Sequence, residues 1–76
     1  MKTIKFTDND GITHNYNPKY VVDAYMTKYE VNNDWCLTIL FSKDSGLTPN
    51  IRTKTYTSES TCKKNLEVIL SAMESV

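Results

Sequence analysis

The single histidine of this 76-residue chain, His14, is the side chain that proton transfer at neutral pH would use first. It alternates with Ile12 and Tyr16, which is the spacing of a strand, and no serine or cysteine stands beside it in the setting of a nucleophile. An ordinary strand residue is therefore the favoured interpretation. We predict no catalytic residue and no enzymatic activity.

Oxygen-bearing side chains are concentrated in the segment Asp8-Asn9-Asp10-Gly11, which is similar to the start of a calcium-binding loop. Such a loop needs a bidentate glutamate at its twelfth position, where this chain has Lys19. Asp-Gly between two alternating segments is instead typical of a tight β-hairpin. The sequence predicts a hairpin turn here, with no metal and no cofactor.

The two cysteines, Cys36 and Cys62, are 26 residues apart and lack the paired spacing of a zinc site. Cys36 falls in an apolar predicted strand and Cys62 on the apolar side of a predicted helix. Two free thiols buried in the core are therefore expected. A disulfide remains the alternative, which a reducing compartment disfavours.

Positive charge is concentrated in one part of the chain, residues 51–64, which holds four cations and the single anion Glu59. A basic strand that carries an aromatic ring could hold phosphates while the ring stacks on a base. A solvated surface is the competing interpretation. The candidate nucleic-acid-binding residues are Arg52, Lys54, Tyr56, Lys63 and Lys64.

Aromatic side chains are more numerous than a core of this size can bury, with five tyrosines and one tryptophan. Tyrosine and tryptophan are frequent in protein interfaces because they combine a large apolar area with a polar tip. If Tyr25 and Tyr29 lie on the side of the sheet away from the helix, that side would bind a partner. Tyr25, Tyr29 and Trp35 are the candidate protein-binding residues, and packing of the tyrosines against the core is the alternative.

Length and composition set the frame for these candidates. The chain is 39% hydrophobic and 24% charged, which is typical of one globular domain over residues 1–76. Its nine basic and nine acidic residues cancel, which argues against a nonspecific polyanion binder. No signal peptide or membrane span is predicted, so the expected location is the cytoplasm.

The elements that must position the candidates follow from periodicity. Alternation predicts strands over residues 2–8 and 12–16. The Asp-Gly turn joins these two strands into a hairpin, and Asn17-Pro18 ends it. Residues 20–31 could form a helix, but their valine, tyrosine and threonine content favours a strand. The most apolar segment, residues 35–43, is the predicted central strand, and residues 51–57 are a predicted edge strand.

An amphipathic helix is predicted over residues 59–75, with Ser58 as its N-cap and Glu59 in the first turn. Its apolar stripe comprises Cys62, Leu66, Ile69, Leu70 and Met73. The predicted fold is therefore α+β, an antiparallel β-meander of about five strands covered on one face by the C-terminal helix.

Ile4-x-Phe6, Gly11, Asn17-Pro18 and the valine-rich segment that follows resemble the opening of small flagellar FlbD-like proteins, and Thr57-Ser58-Glu59-Ser60 is similar to their helix start. This resemblance covers about the first 22 residues and the helix start, and the longer centre of the chain departs from it. In topology alone the chain is similar to the transcription coactivator PC4-like fold, which implies dimers and single-strand binding. Arg52, Lys54 and Tyr56 would serve that role here.

The function that these observations favour is a non-enzymatic interaction module, which docks a sheet face or edge onto a protein partner. An adaptor or a steric inhibitor fits so small and charge-balanced a chain, including one encoded by a phage or another mobile element. A homodimer is among the predicted assemblies. Single-stranded nucleic-acid binding is the alternative.

Overall fold

A computed structural model of the protein describes residues 3–75 and contains five strands, two short 3-10 helices and one α-helix. The strands are β1 (Ile4–Thr7), β2 (Thr13–Tyr16), β3 (Val21–Lys28), β4 (Trp35–Phe41) and β5 (Ile51–Tyr56), and the helix is α1 (Glu59–Glu74). The predicted α+β class is confirmed. Lys2, where the first predicted strand begins, lies outside the described residues.

The hairpin of β1 and β2 forms as the Asp-Gly signal predicts. The Asp8 carboxylate accepts hydrogen bonds from the backbone N–H groups of Asp10 (3.0 Å) and Ile12 (3.1 Å). Gly11 adopts a φ of +79°, which a residue without Cβ reaches at no steric cost. The register of the hairpin pairs Ile4 with Tyr16 and Phe6 with His14.

The five antiparallel strands divide into two sheets, β1-β2 and β3-β4-β5. The division falls at Pro18, because Pro18–Tyr20 form a 3-10 helix capped by the Asn17 side chain, which accepts a hydrogen bond from the N–H of Lys19. The chain therefore changes direction before β3 begins. Residues 20–31, which could have been helix or strand, form a strand only over Val21–Lys28.

β4 is the centre of the three-stranded sheet, and β5 is an edge, as predicted. Leu37 and Ile39 of β4 have no exposed surface, and Phe41 packs against the ring of Tyr16 with centroids 4.7 Å apart. Because Tyr16 belongs to the hairpin, this ring pair joins the two sheets in one core. The Tyr16 hydroxyl is buried there without a hydrogen-bond partner among the described residues.

α1 begins at the predicted N-cap, because the Ser58 hydroxyl accepts a hydrogen bond from the N–H of Thr61 at 3.4 Å. Its buried side chains are Cys62, Ile69 and Ala72, with Leu66 and Met73 packed against the core. The assignment of Leu70 to this stripe was wrong, since Leu70 is 38% exposed. Compared with the predicted stripe, the buried face of the helix is rotated toward Ala72. Leu70 therefore lies at the margin of the contact between the helix and the sheet.

Both cysteines are free and buried, as predicted. Cys62 belongs to the core beneath the helix, whereas Cys36 lies on the other side of the sheet and outside that cluster. Among residues 3–75, no helix is long and apolar enough to cross a membrane.

Candidate docking surface

The register of the three-stranded sheet sorts its side chains onto two faces, because residues directly opposite each other in antiparallel strands share a face. Ala24 pairs with Ile39 and Met26 with Leu37, and these residues pack into the core beneath α1. The other face, here called the open face, carries the alternate residues. It comprises Asp23, Tyr25 and Thr27 of β3, Cys36, Thr38 and Leu40 of β4, and Ile51, Thr53 and Thr55 of β5.

The open face carries one charged side chain, that of Asp23, and is otherwise built from threonine, aliphatic and aromatic groups. Tyr25 is 41% exposed on this face. Tyr29 follows on the same side of the chain, two residues after Thr27, and is 47% exposed. The structure thus places both predicted tyrosine anchors on the side away from the helix.

Exposed apolar side chains are concentrated along β3 and the turn that follows it. Within residues 3–75, eight large hydrophobic residues are exposed, and four of them lie between positions 22 and 31: Val22, Tyr25, Tyr29 and Val31. Val22 and Val31 were not among the predicted binding residues. Such a concentration in a small domain typically marks an interaction site.

Two small side chains of β4 form the centre of the open face, next to the tyrosines. Cys36 and Thr38 are almost fully buried, and the Cys36 Sγ lies 3.8 Å from the Thr38 Oγ1. A side-chain hydrogen bond with Cys36, with a smaller Coulombic effect of the same thiol, raises the pKa of Tyr29. The Tyr29 phenol can both donate and accept hydrogen bonds.

Trp35, the third predicted anchor, lies on the opposite face from Tyr25. It pairs with Lys28 and Tyr56, is only partly exposed, and packs against the core. The Lys28 ammonium lies 5.8 Å from the centroid of its ring. The structure does not bring Trp35 together with the two tyrosines.

The two edges of the three-stranded sheet differ. At the β5 edge, the Asn9 side chain accepts a hydrogen bond from the N–H of Thr55 (2.9 Å) and donates one to the Thr55 hydroxyl (3.2 Å). The turn of the β1-β2 hairpin thus occupies the outward N–H of Thr55 on this edge. Asn9 was predicted only as a turn residue, and nothing in the sequence indicated its contact with a strand 46 positions away.

The β3 edge is open: among residues 3–75, no backbone hydrogen bond reaches its outer side. The N–H of Tyr29 donates to the carbonyl of Asp34, inside the hairpin of β3 and β4. Since backbone groups alternate along a strand, Tyr25 and Thr27 also bond to β4, whereas Ala24, Met26 and Lys28 point outward. The outward N–H of Ala24 bonds to the Asp23 carboxylate (2.8 Å), which leaves those of Met26 and Lys28 free.

The predicted basic residues divide between several environments. Arg52, Lys54 and Tyr56 share a face as predicted, but it is the face toward the helix, and Arg52 donates to the carbonyls of Pro49 (2.6 Å) and Ile51 (2.8 Å). Tyr56 packs against the core, where burial and the nearby Cys62 raise its pKa. Lys63 and Lys64 are exposed on α1. These residues do not converge on one free aromatic surface.

His14 is exposed on β2, where its ring lies 5.7 Å from the ring of Tyr16. It also lines a shallow cavity of about 330 Å³ between the hairpin and β5, together with Asp8, Asp10 and Arg52. The Asp8 carboxylate is already bonded to the turn backbone and Arg52 to two carbonyls. Within residues 3–75, no three metal-binding side chains stand close enough to hold an ion.

Comparisons with models of known protein families, with curated proteins and with solved structures find no match to this chain. The resemblances to FlbD-like proteins and to the PC4-like fold therefore stay predictions, and the geometry of β3 is the basis for a functional proposal.

Proposed function

We propose that this protein is a non-enzymatic docking module, which binds a protein partner along β3. The partner's chain pairs with the outer edge of β3, and its side chains pack on Tyr25 and Tyr29. The observation that supports this most is that, in the described part of the chain, an unpaired strand edge coincides with half of the exposed large hydrophobic side chains.

Strand addition suits this edge because main-chain hydrogen bonds supply affinity and alternate side chains supply specificity. The outward groups of Met26 and Lys28 would provide the bonds, and Tyr25 and Thr27 would present side chains on the open face. The uncharged centre of that face lets an apolar partner surface approach without burying an unpaired charge. An adaptor or a steric inhibitor would work in this way, because it needs only to occupy a surface of its target.

Combined substitution of Tyr25→Ala and Tyr29→Ala should abolish partner binding while the fold survives, because exposed aromatic anchors carry much of the energy of an interface. Each lost anchor is expected to cost about 2 kcal/mol, or roughly thirtyfold in affinity. The measurement compares the amounts of the proteins that immobilised wild type and immobilised variant each bind from an extract of the cells that produce the protein. Circular dichroism of both proteins shows whether the fold is kept.

The matched control is the combined substitution Val68→Ala and Leu70→Ala, which removes two exposed apolar side chains from α1. It should capture the same proteins as wild type. Equal capture by the tyrosine variant would refute the proposal. Binding to a single-stranded oligonucleotide that falls steeply with added salt would instead favour the alternative function through Arg52 and Lys54.

A further inference from the structure

We infer that a second copy of this chain is a partner of β3, and that the two copies pair antiparallel about a two-fold axis at Thr27. The inference rests on the proposed function, because it names an occupant of the same edge. It would join the two three-stranded sheets into one continuous antiparallel sheet, with β3 at its centre.

The free backbone groups determine this register. Asp23 already occupies the outward N–H of Ala24, so the available outward donors of β3 are Met26 and Lys28. Pairing about Thr27 places Met26 of one copy opposite Lys28 of the other, where each pair exchanges two main-chain hydrogen bonds. A register centred on Tyr25 would need the Ala24 N–H and would compete with its bond to Asp23.

The same register also pairs the exposed aromatic rings. Tyr25 of each copy lies opposite Tyr29 of the other on the open face, and cross-strand aromatic pairs stabilise antiparallel sheets. Both rings are nearly half exposed in the single chain. Association would therefore cover Tyr25 and Tyr29 in both copies.

Charge does not oppose the pairing. The stretch from Ala24 to Thr27 has no Asp, Glu, Lys, Arg or His, Lys28 faces Met26, and Asp23 lies beyond the paired segment. The whole chain has a formal net charge of zero, so two copies do not repel each other at long range. At the β5 edge, Asn9 already occupies the outward N–H of Thr55.

Thr27 provides a direct test, because it is exposed and would face its own copy across the axis. Thr27→Lys and Thr27→Glu each place like charges opposite each other, which should weaken association more than tenfold. An equimolar mixture of the two variants places opposite charges there and should restore the pair. Both results follow when Thr27 of one copy lies close to Thr27 of the other, as it does in this register.

The measurement is light scattering with size-exclusion chromatography at several protein concentrations. Wild type is expected at twice the monomer mass of 8.7 kDa, each Thr27 variant at the monomer mass, and their mixture at twice that mass. Val68→Lys on the exposed face of α1 is the matched control and should behave as wild type. Denaturation midpoints of all variants test whether the fold is kept.

A wild type that stays monomeric up to about 1 mM, or variants that associate as wild type does, would overturn the inference. Neither outcome decides the proposed function, which is tested by whether the tyrosine variant captures the same partners from the extract. The two proposals are therefore tested independently.

Discussion

Replacing Ile69 with aspartate should unfold the protein, whereas the same substitution at the neighbouring Val68 should change the free energy of unfolding by less than about 0.5 kcal/mol. Ile69 is 3% exposed and packs in the core beneath α1, whereas Val68 is 64% exposed. Burying an unpaired carboxylate costs several kcal/mol, and a domain this small has a total stability of only about 5 kcal/mol. Urea denaturation followed by circular dichroism measures both variants.

The pair of substitutions tests the orientation of the helix, because the two positions are adjacent in α1, both carry a β-branched apolar residue, and lie on opposite faces. A folded Ile69→Asp variant with a midpoint like that of wild type would contradict the packing of α1 described here. Loss of structure in Val68→Asp would contradict it equally, since it would mean that the outer face of the helix is buried.

Phe41→Ala should lower the free energy of unfolding by about 3–5 kcal/mol, because it removes a fully buried ring and leaves a cavity. Phe41 is 1% exposed and contacts Tyr16, the residue that brings the hairpin into the core. The loss should therefore loosen the hairpin as well as the central strand. The midpoint of urea unfolding, monitored by tyrosine fluorescence and by circular dichroism, measures both effects.

Phe41→Leu is the control, because it keeps an apolar side chain of similar volume and should cost less than about 1.5 kcal/mol. A loss of less than about 1 kcal/mol for Phe41→Ala would show that the ring does not bridge the two sheets. If Phe41→Ala loses the expected amount of about 3–5 kcal/mol of unfolding free energy but the hairpin keeps its structure, other contacts must hold Tyr16 in place.

Local sequence signals predicted most of the secondary structure. The Asp-Gly turn depends on residues within a few positions of one another, and so does the Ser58 N-cap, so both could be recognised directly. The division into two sheets could not, because it depends on how far the chain turns at Pro18. Leu70 was assigned to the core because periodicity fixes the stripe of a helix but not its rotation on the sheet.

The candidate site could be predicted only in part. Alternation placed Tyr25 and Tyr29 on one side of β3, and the structure shows that this side faces away from the helix. The same alternation puts Trp35 on the side of Leu37 and Ile39, so its place among the anchors could have been questioned from the sequence. The difference between the two edges could not be predicted, because Asn9 reaches Thr55 of β5 across 46 positions and no local pattern encodes that contact.

The most direct test of docking along β3 is residue-resolved amide hydrogen exchange of the protein at low and at high concentration, because exchange reports whether an N–H is bonded. We predict that the amides of Tyr25 and Thr27 are protected at both concentrations, since they bond to β4. The amides of Met26 and Lys28 should exchange rapidly in dilute protein and become protected when a second copy or a captured partner occupies the edge. Equal protection of all four amides in the most dilute sample would contradict the account, because it would show that β3 has no free edge to offer.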